Sequence, residues 1–316
     1  MRRRYLPGAT IVLVSAMLIG SCGRNRVPAV VEPTPEPPPS GVVTIGSVSL
    51  FPAREHNVVR PLADYLAARL GSVGIGRGRV VVADSLSTMV DELDAGRVDI
   101  YIDSPFPVGF VVGHSNARVL LRRFKQGAEQ YRSVLFVRKD SGVEGLAGLN
   151  GRMIAFGEPF STTGYLLPKA ALVSAGFILT NFADPAATVP DGEVGYVFSN
   201  DAENTMVWVL KGKVTAGAVN EDYFTALAGQ RIDELKVLFR SDAVPRNVVC
   251  ARGDLEPNVM RRVVGVLLGM DEDPEGKAVL EGFEQTSGFE PFPEGGDKAL
   301  AGVIELLPYV EEDLGR

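Results

Sequence analysis

Three consecutive hydroxyl residues, Ser161, Thr162 and Thr163, followed by Gly164 and Tyr165, are the stretch of this chain best suited to chemistry. They fall between a predicted strand over 152–156 and a predicted helix over 164–175. A helix start leaves its first amides without intrahelical partners and carries partial positive charge. Hydroxyls beside such amides make a donor-rich, uncharged site for a tetrahedral oxyanion. Ser and Thr are also the usual helix caps, so the stretch points to anion binding only in combination with the elements that hold it.

The residues that an enzyme would need are scarce. Only His56 and His114 are present, and no histidine pair has metal-ligand spacing. Ser161 lacks the Gly-x-Ser-x-Gly frame of a hydrolase nucleophile. No catalytic residue, metal or cofactor is therefore expected. Arg252-Gly253-Asp254 matches an adhesion tripeptide, but it falls in a predicted turn and three residues recur by chance.

The N-terminus reads Met1-Arg2-Arg3-Arg4, an apolar run from Ile11 to Ile19, then Gly20-Ser21-Cys22. A basic start, a short apolar core and small residues at a cleavage point describe an export signal over 1–21. The apolar run is too short to span a bilayer comfortably. Ile19-Gly20-Ser21-Cys22 resembles a bacterial lipobox, which makes Cys22 the expected site of lipidation. Residues 22–41, with six prolines between Pro28 and Pro39, read as an extended tether. With Cys22 lipidated, Cys250 has no disulfide partner and reads as a small buried apolar residue. Removing residues 1–21 deletes three arginines and no acid, which takes the formal charge from −7 to −10. That balance argues against nucleic acid as a partner. A small anion remains compatible, because a local group of donors outweighs distant, screened charge.

The body exceeds the usual size of a single core, so two lobes are expected. Its first part alternates strand (42–48), helix (60–70), strand (79–83), helix (88–95) and strand (98–102). A second such series runs from strand 152–156 to strand 216–218, with strand 193–198 and helix 202–210 inside it. This pattern predicts mostly parallel sheets with flanking helices. Ligands of such sheets bind beyond the carboxyl ends of the strands, where Asp103 and Ser104 fall. Gly74-Ile75-Gly76-Arg77-Gly78 follows a helix and precedes a strand, the reverse of a dinucleotide fingerprint, and reads as a connector.

Several blocks, in order, resemble the phosphate/phosphite/phosphonate-type substrate-binding proteins of ABC importers. They are Arg60-Pro61-Leu62-Ala63-Asp64-Tyr65-Leu66, Gly96-Arg97-Val98-Asp99-Ile100, Tyr131-Arg132-Ser133-Val134, 149–156, 161–168 and 212–219. The resemblance implies a two-lobed periplasmic-binding fold of type II. Residues 42–134 with 247–316 would form lobe 1 and 135–246 lobe 2, and 133–137 and 246–251 would be the crossing strands. It also implies an extracytoplasmic, lipid-anchored monomer that closes on its ligand and delivers it to ABC permease subunits.

By the same resemblance, Ser161, Thr162 and Thr163 bind the oxyanion. Where the family has a His in its Gly-Ser-His-Asp turn, this chain has Asn200, which donates through its amide but adds no charge. Asn200 and Asp201 also suit a turn and a helix cap. Asp103 stands where the family more often has an apolar residue. It would accept a P–OH proton, bind the ammonium of an aminophosphonate, or simply be a solvated strand-end acid; Glu158 is a second candidate for the amine. Phe51 and Tyr101 are expected on the other wall. A lipoprotein that senses the ligand without transporting it would share fold and pocket.

Overall fold

The computed structural model describes residues 40–314. The signal segment, Cys22 and most of the tether lie outside the described residues. The chain opens with β1 (Gly41–Val48), α1 (Pro52–Arg69), β2 (Ile75–Ala83), α2 (Leu86–Asp94), β3 (Ile100–Asp103), α3 (Pro105–His114) and β4 (Arg118–Arg123). A short β5 (Gln130–Tyr131) leads to β6 (Ser133–Arg138), β7 (Met153–Phe156), α4 (Leu167–Ser174), β8 (Ile178–Asn181) and β9 (Glu193–Phe198). Then come α5 (Ala202–Leu210), β10 (Ala216–Asn220), α6 (Glu221–Ala228), β11 (Leu235–Arg240), β12 (Val244–Pro245) and β13 (Val248–Ala251). Helices α7 (Pro257–Leu268) and α8 (Pro274–Gly282), strand β14 (Phe289–Glu290), α9 (Gly296–Ile304) and short 3-10 turns close the chain.

Two six-stranded sheets organise these elements, in the orders β14-β4-β13-β3-β1-β2 and β11-β6-β10-β7-β9-β8. The strands of each βαβ series pair in parallel, as β1 does with β2 and β3, and β7 with β9 and β10. The strands flanking the passages between sheets enter antiparallel: β13 against β3 and β4, β6 against β10 and β11. Each sheet is therefore a parallel βαβ core with antiparallel strands added beside it. Ser133–Arg138 and Val248–Ala251 are interior strands of their own sheets. The chain crosses instead beside β5 and β12, which pair as Tyr131 with Val244 and Gln130 with Pro245.

Helix α1 begins eight residues before the predicted start, with Pro52 in its first turn and Pro61 inside it. It lies close on β2, where a Cβ at Gly78 would stand 2.4 Å from the Ala63 carbonyl oxygen. The apolar interior of both sheets is carried by fully buried residues such as Ile45, Leu62, Phe136 and Ile154. Cys250 is buried among them, and burial pushes its thiol up to about 12, so it is held as an inert apolar side chain. No described helix is long and apolar enough to cross a membrane. The C-terminal turn Glu311–Leu314 reaches the second lobe, where Asp313 pairs with the buried Lys169 of α4 and accepts from the Tyr165 hydroxyl. Burial pushes the Asp313 carboxyl upward, but hydrogen bonds from Lys169, Tyr165 and Tyr196 hold it below the ordinary value.

Candidate functional site

The hydroxyl stretch is a cap on an unusual turn. Thr162–Leu166 is a single π-helical turn ahead of α4, a feature often found at functional sites. The Ser161 side-chain oxygen accepts from the Gly164 amide at 3.0 Å, and its carbonyl accepts from Tyr165 and Leu166. Gly164 is required here. A Cβ on it would stand 2.8 Å from the Ser161 oxygen and 3.4 Å from the Gly157 backbone, whose amide donates to the Gly164 carbonyl at 3.0 Å. The turn is thus clamped against the end of β7.

Ser161 and Thr163 line a cavity of about 590 Å³ between the lobes. Thr162 does not. Its side chain is buried, and its hydroxyl donates to Ser104 Oγ at 3.0 Å and accepts from the Phe106 amide at 2.9 Å. The middle hydroxyl of the stretch therefore joins the second lobe to the start of α3 in the first. Asn200 lines the cavity from a left-handed turn with φ of 69°. Asp201, beside it, caps α5 by accepting from the Asn204 amide.

The opposite wall carries Phe51, Glu55, Asp103 and Ser104. Phe51 precedes α1 and is half exposed at the mouth. Tyr101 does not reach the cavity, contrary to expectation. It is fully buried, because β3 is an interior strand with core on both faces, and its hydroxyl donates to Asp103 Oδ2 at 2.8 Å. It holds the Asp103 carboxylate in place. The Ser104 amide donates to the other oxygen of Asp103 at 2.6 Å.

Electrostatically the cavity is mixed. Burial pushes the Asp103 carboxyl up to about 6, against the downward pull of its bonds from Ser104 and Tyr101. Burial, then the charges of Asp103 and Glu55, push Glu158 up to about 7. Glu55 accepts from the Ser47 hydroxyl at 2.6 Å. Lys125 and Arg123 share Glu284 at 2.5 and 3.0 Å, and although burial pushes that carboxyl upward, the two cations pull it down to about 2. Arg123 donates to Thr286, Asn247, the Phe283 carbonyl and Glu284.

Sequence reading did not single out Glu55, Tyr131 or Arg246, all of which line the cavity. The signal for Glu55 was Pro52 at a helix start, which puts Glu55 in the first turn. For Arg246 it was a charged residue opening an apolar strand run. No group of three or more potential metal-ligating side chains occurs among the described residues.

The family model described as "ABC transporter, phosphonate, periplasmic substrate-binding protein" matches residues 49–294. The phosphate-import protein PhnD of Mycolicibacterium smegmatis is 24% identical over 267 residues, covering 81% of this chain and 79% of that protein. The phosphonates-binding periplasmic protein of Escherichia coli is 28% identical over 234 residues, covering 72% of this chain and 66% of that one. A Xanthomonas citri protein solved with chloride bound superposes with a TM-score of 0.82 at 27% identity, over 87% of this chain and 100% of its own. With ATP bound it superposes with a TM-score of 0.79. The two-lobed frame, the interlobe cavity and a match over most of its length place this chain in the family of phosphonate-type periplasmic substrate-binding proteins of ABC transporters.

Proposed function

We propose that this protein captures a phosphorus oxyanion in its interlobe cavity, outside the cytoplasm, and hands it to an ABC permease. A lipid on Cys22 would hold it at the membrane through the proline-rich tether. The observation that carries the reading is the clamped hydroxyl turn, whose Ser161 and Thr163 face the cavity at a helix start, within a chain of this family. In this reading Ser161 and Thr163 hold the oxyanion and Asn200 donates from the same lobe. Asp103 and Ser104 approach from the other lobe, and Phe51 closes the mouth. Thr162 acts through lobe closure. A binding protein that relays its ligand to a sensor would use the same site; loss of ligand uptake on deletion of the gene separates the two roles.

Calorimetric titration of the purified protein with phosphate, phosphite, methylphosphonate and 2-aminoethylphosphonate tests the reading. Saturable one-site binding of at least one of them is expected, lost or strongly weakened in Ser161→Ala combined with Thr163→Val. The cavity is wider than a bare phosphate needs, and the similar Xanthomonas citri protein has been solved with ATP, so ATP belongs in the same series. Binding of none of these compounds would overturn the assignment. Release of a Cys22→Ala variant from the membrane fraction tests the anchor.

A further inference from the structure

Of the four cations that line the cavity, Arg123 and Lys125 have an acidic partner, while the exposed Arg54 and the buried Arg246 take part in no ion pair among the described residues. Arg122 pairs with Glu290 at 2.7 Å and with Glu129, Arg123 pairs with Glu284, and Lys125 with Glu284. Arg246 is the buried one of the two unpaired cations. It is only 5% exposed, and among the described residues it takes part in no ion pair. One of its terminal nitrogens donates to Gln126 Oε1 at 3.1 Å, while its Nε is buried with no hydrogen-bond partner among the described residues. It nevertheless lines the cavity, alongside Ser104, Thr163 and Asn220.

A guanidinium in this state is costly. Removing an ion from water without a counter-charge costs several kcal/mol, and Gln126 supplies only one neutral acceptor. The surroundings hold the side chain in place all the same. Its guanidinium carbon lies over the Tyr131 ring, 4.6 Å from the centroid. Its own amide donates to the Glu129 carbonyl at 2.9 Å, so both crossing segments fix it. Tyr131 lines the cavity together with Ser104, one of the pair that joins the lobes. A planar cation with an unused donor, fixed beside the closure contact, is the geometry that recognises a carboxylate, phosphate or phosphonate.

We infer that Arg246 is the counter-charge for the anionic group of the ligand, supplied from the crossing between the lobes rather than from the hydroxyl turn. The inference rests on the reading of the cavity as an oxyanion site. It also answers a deficit in that reading: the hydroxyls and Asn200 are neutral donors, and Asp103, Glu55 and Glu158 are acids. Without Arg246 a dianion would meet no buried unpaired cation in the cavity lining, since Arg54 is exposed to solvent. Because Arg246 sits where the chain passes between lobes, an anion bound there touches the segment about which the lobes move.

The test compares the wild type with Arg246→Gln and Arg246→Lys, titrated with methylphosphonate, phosphate, phosphite and 2-aminoethylphosphonate, and with methanesulfonate as a monoanionic analogue. Melting temperatures of the unliganded proteins are recorded alongside. Arg246→Gln should weaken the phosphorus oxyanions about 10- to 100-fold and methanesulfonate less, with Arg246→Lys between. Its unliganded melting temperature should stay the same or rise, because a buried unpaired charge has been removed. Equal loss for dianions and the monoanion, or wild-type affinity throughout, would overturn the inference. If the wild type binds none of the probes, the reading of the cavity fails on its own account. Arg246 is then judged by the melting temperature: no change or a rise supports an unpaired cation, and a fall of several degrees shows a structural residue.

Discussion

At the scale of the residue, the acids of the cavity make the protein's response to pH. Asp103 and Glu158 stand at about 6 and about 7, above their ordinary 3.8 and 4.5. Between pH 4 and 7 the folded protein therefore holds protons that the unfolded chain has released, and its unliganded stability falls as pH rises through that window. The loss is at most about 3–3.5 kcal/mol per group. Thermal melts at pH 5 and pH 7.5 check the sign for wild type against Asp103→Asn with Glu158→Gln, whose melting temperature should be nearly flat. The same groups govern binding. An oxyanion without an amine brought near them favours their protonated forms, so binding methanesulfonate, which has no proton of its own to lose near neutral pH, should take up protons at pH 7.5. Titration in two buffers of different ionisation enthalpy reads this directly. With 2-aminoethylphosphonate the ammonium keeps the carboxylates ionised, and uptake should vanish. Proton release with methanesulfonate would remove both acids from the site. Asp103 was legible in the sequence because a carboxylate after a buried strand is out of place. The role of Tyr101 was not, since strand alternation puts it on the face of Asp103 but does not say that this face is sealed beneath it. Arg246 was hidden for the opposite reason: its lack of a partner is a property of three dimensions.

At the scale of the element, the hydroxyl turn is a joint as well as a cap. Thr162 donates to Ser104 and accepts from the Phe106 amide, so two neutral hydrogen bonds, each worth about 0.5–1.5 kcal/mol net, hold α4's turn to the start of α3. Thr162→Val and Ser104→Ala should then be coupled. In a double-mutant cycle on ligand affinity, the interaction energy should be about 0.5–1.5 kcal/mol, whereas strict additivity would show that the pair plays no part in the bound state. Gly164→Ala, which forces a methyl group against Ser161, should destabilise the protein by about 1–3 kcal/mol and weaken binding with it. Elements bounded by strong stops were readable: β9 (Glu193–Phe198) and α5 (Ala202–Leu210) lie where periodicity and the Asp201 cap put them. Helix α3 went unread because Pro105-Phe106-Pro107-Val108-Gly109 is apolar all round and carries two prolines. Both prolines fall in its first turn, where a missing amide costs nothing. Strand β4 went unread because its pattern of Arg118, Arg122 and Arg123 looks like a solvated face, and only the fold supplies the buried partners of Arg123.

At the scale of the whole molecule, two kinds of contact span the lobes, and their magnitudes assign them different duties. The joint at Thr162 is made of neutral hydrogen bonds that each opening of the cavity can break. The strap at the C-terminus is of another order. Lys169 is 7% exposed and its ammonium meets Asp313, with the hydroxyls of Tyr165 and Tyr196 at 3.2 and 3.5 Å. Separating such a pair would strand a buried charge at a cost of roughly 3–5 kcal/mol, too much to spend in every cycle of binding and release. The strap should therefore stay intact while the Thr162 joint opens, and the second lobe should move about both the crossing segments and the C-terminal turn. Asp313→Asn keeps the shape and one acceptor but removes the charge. It should lower the melting temperature by several degrees, since about 3 kcal/mol at roughly 2–4 °C per kcal/mol is worth about 6–12 °C at most in a protein of this size. Ligand affinity at a temperature where the variant is still folded should change by no more than about twofold, because the strap is present in both open and closed forms. A variant that keeps its melting temperature but binds tenfold more weakly would reverse the assignment. It would make the C-terminal turn a latch that closes with the cavity, and Lys169 part of the ligand-dependent machinery.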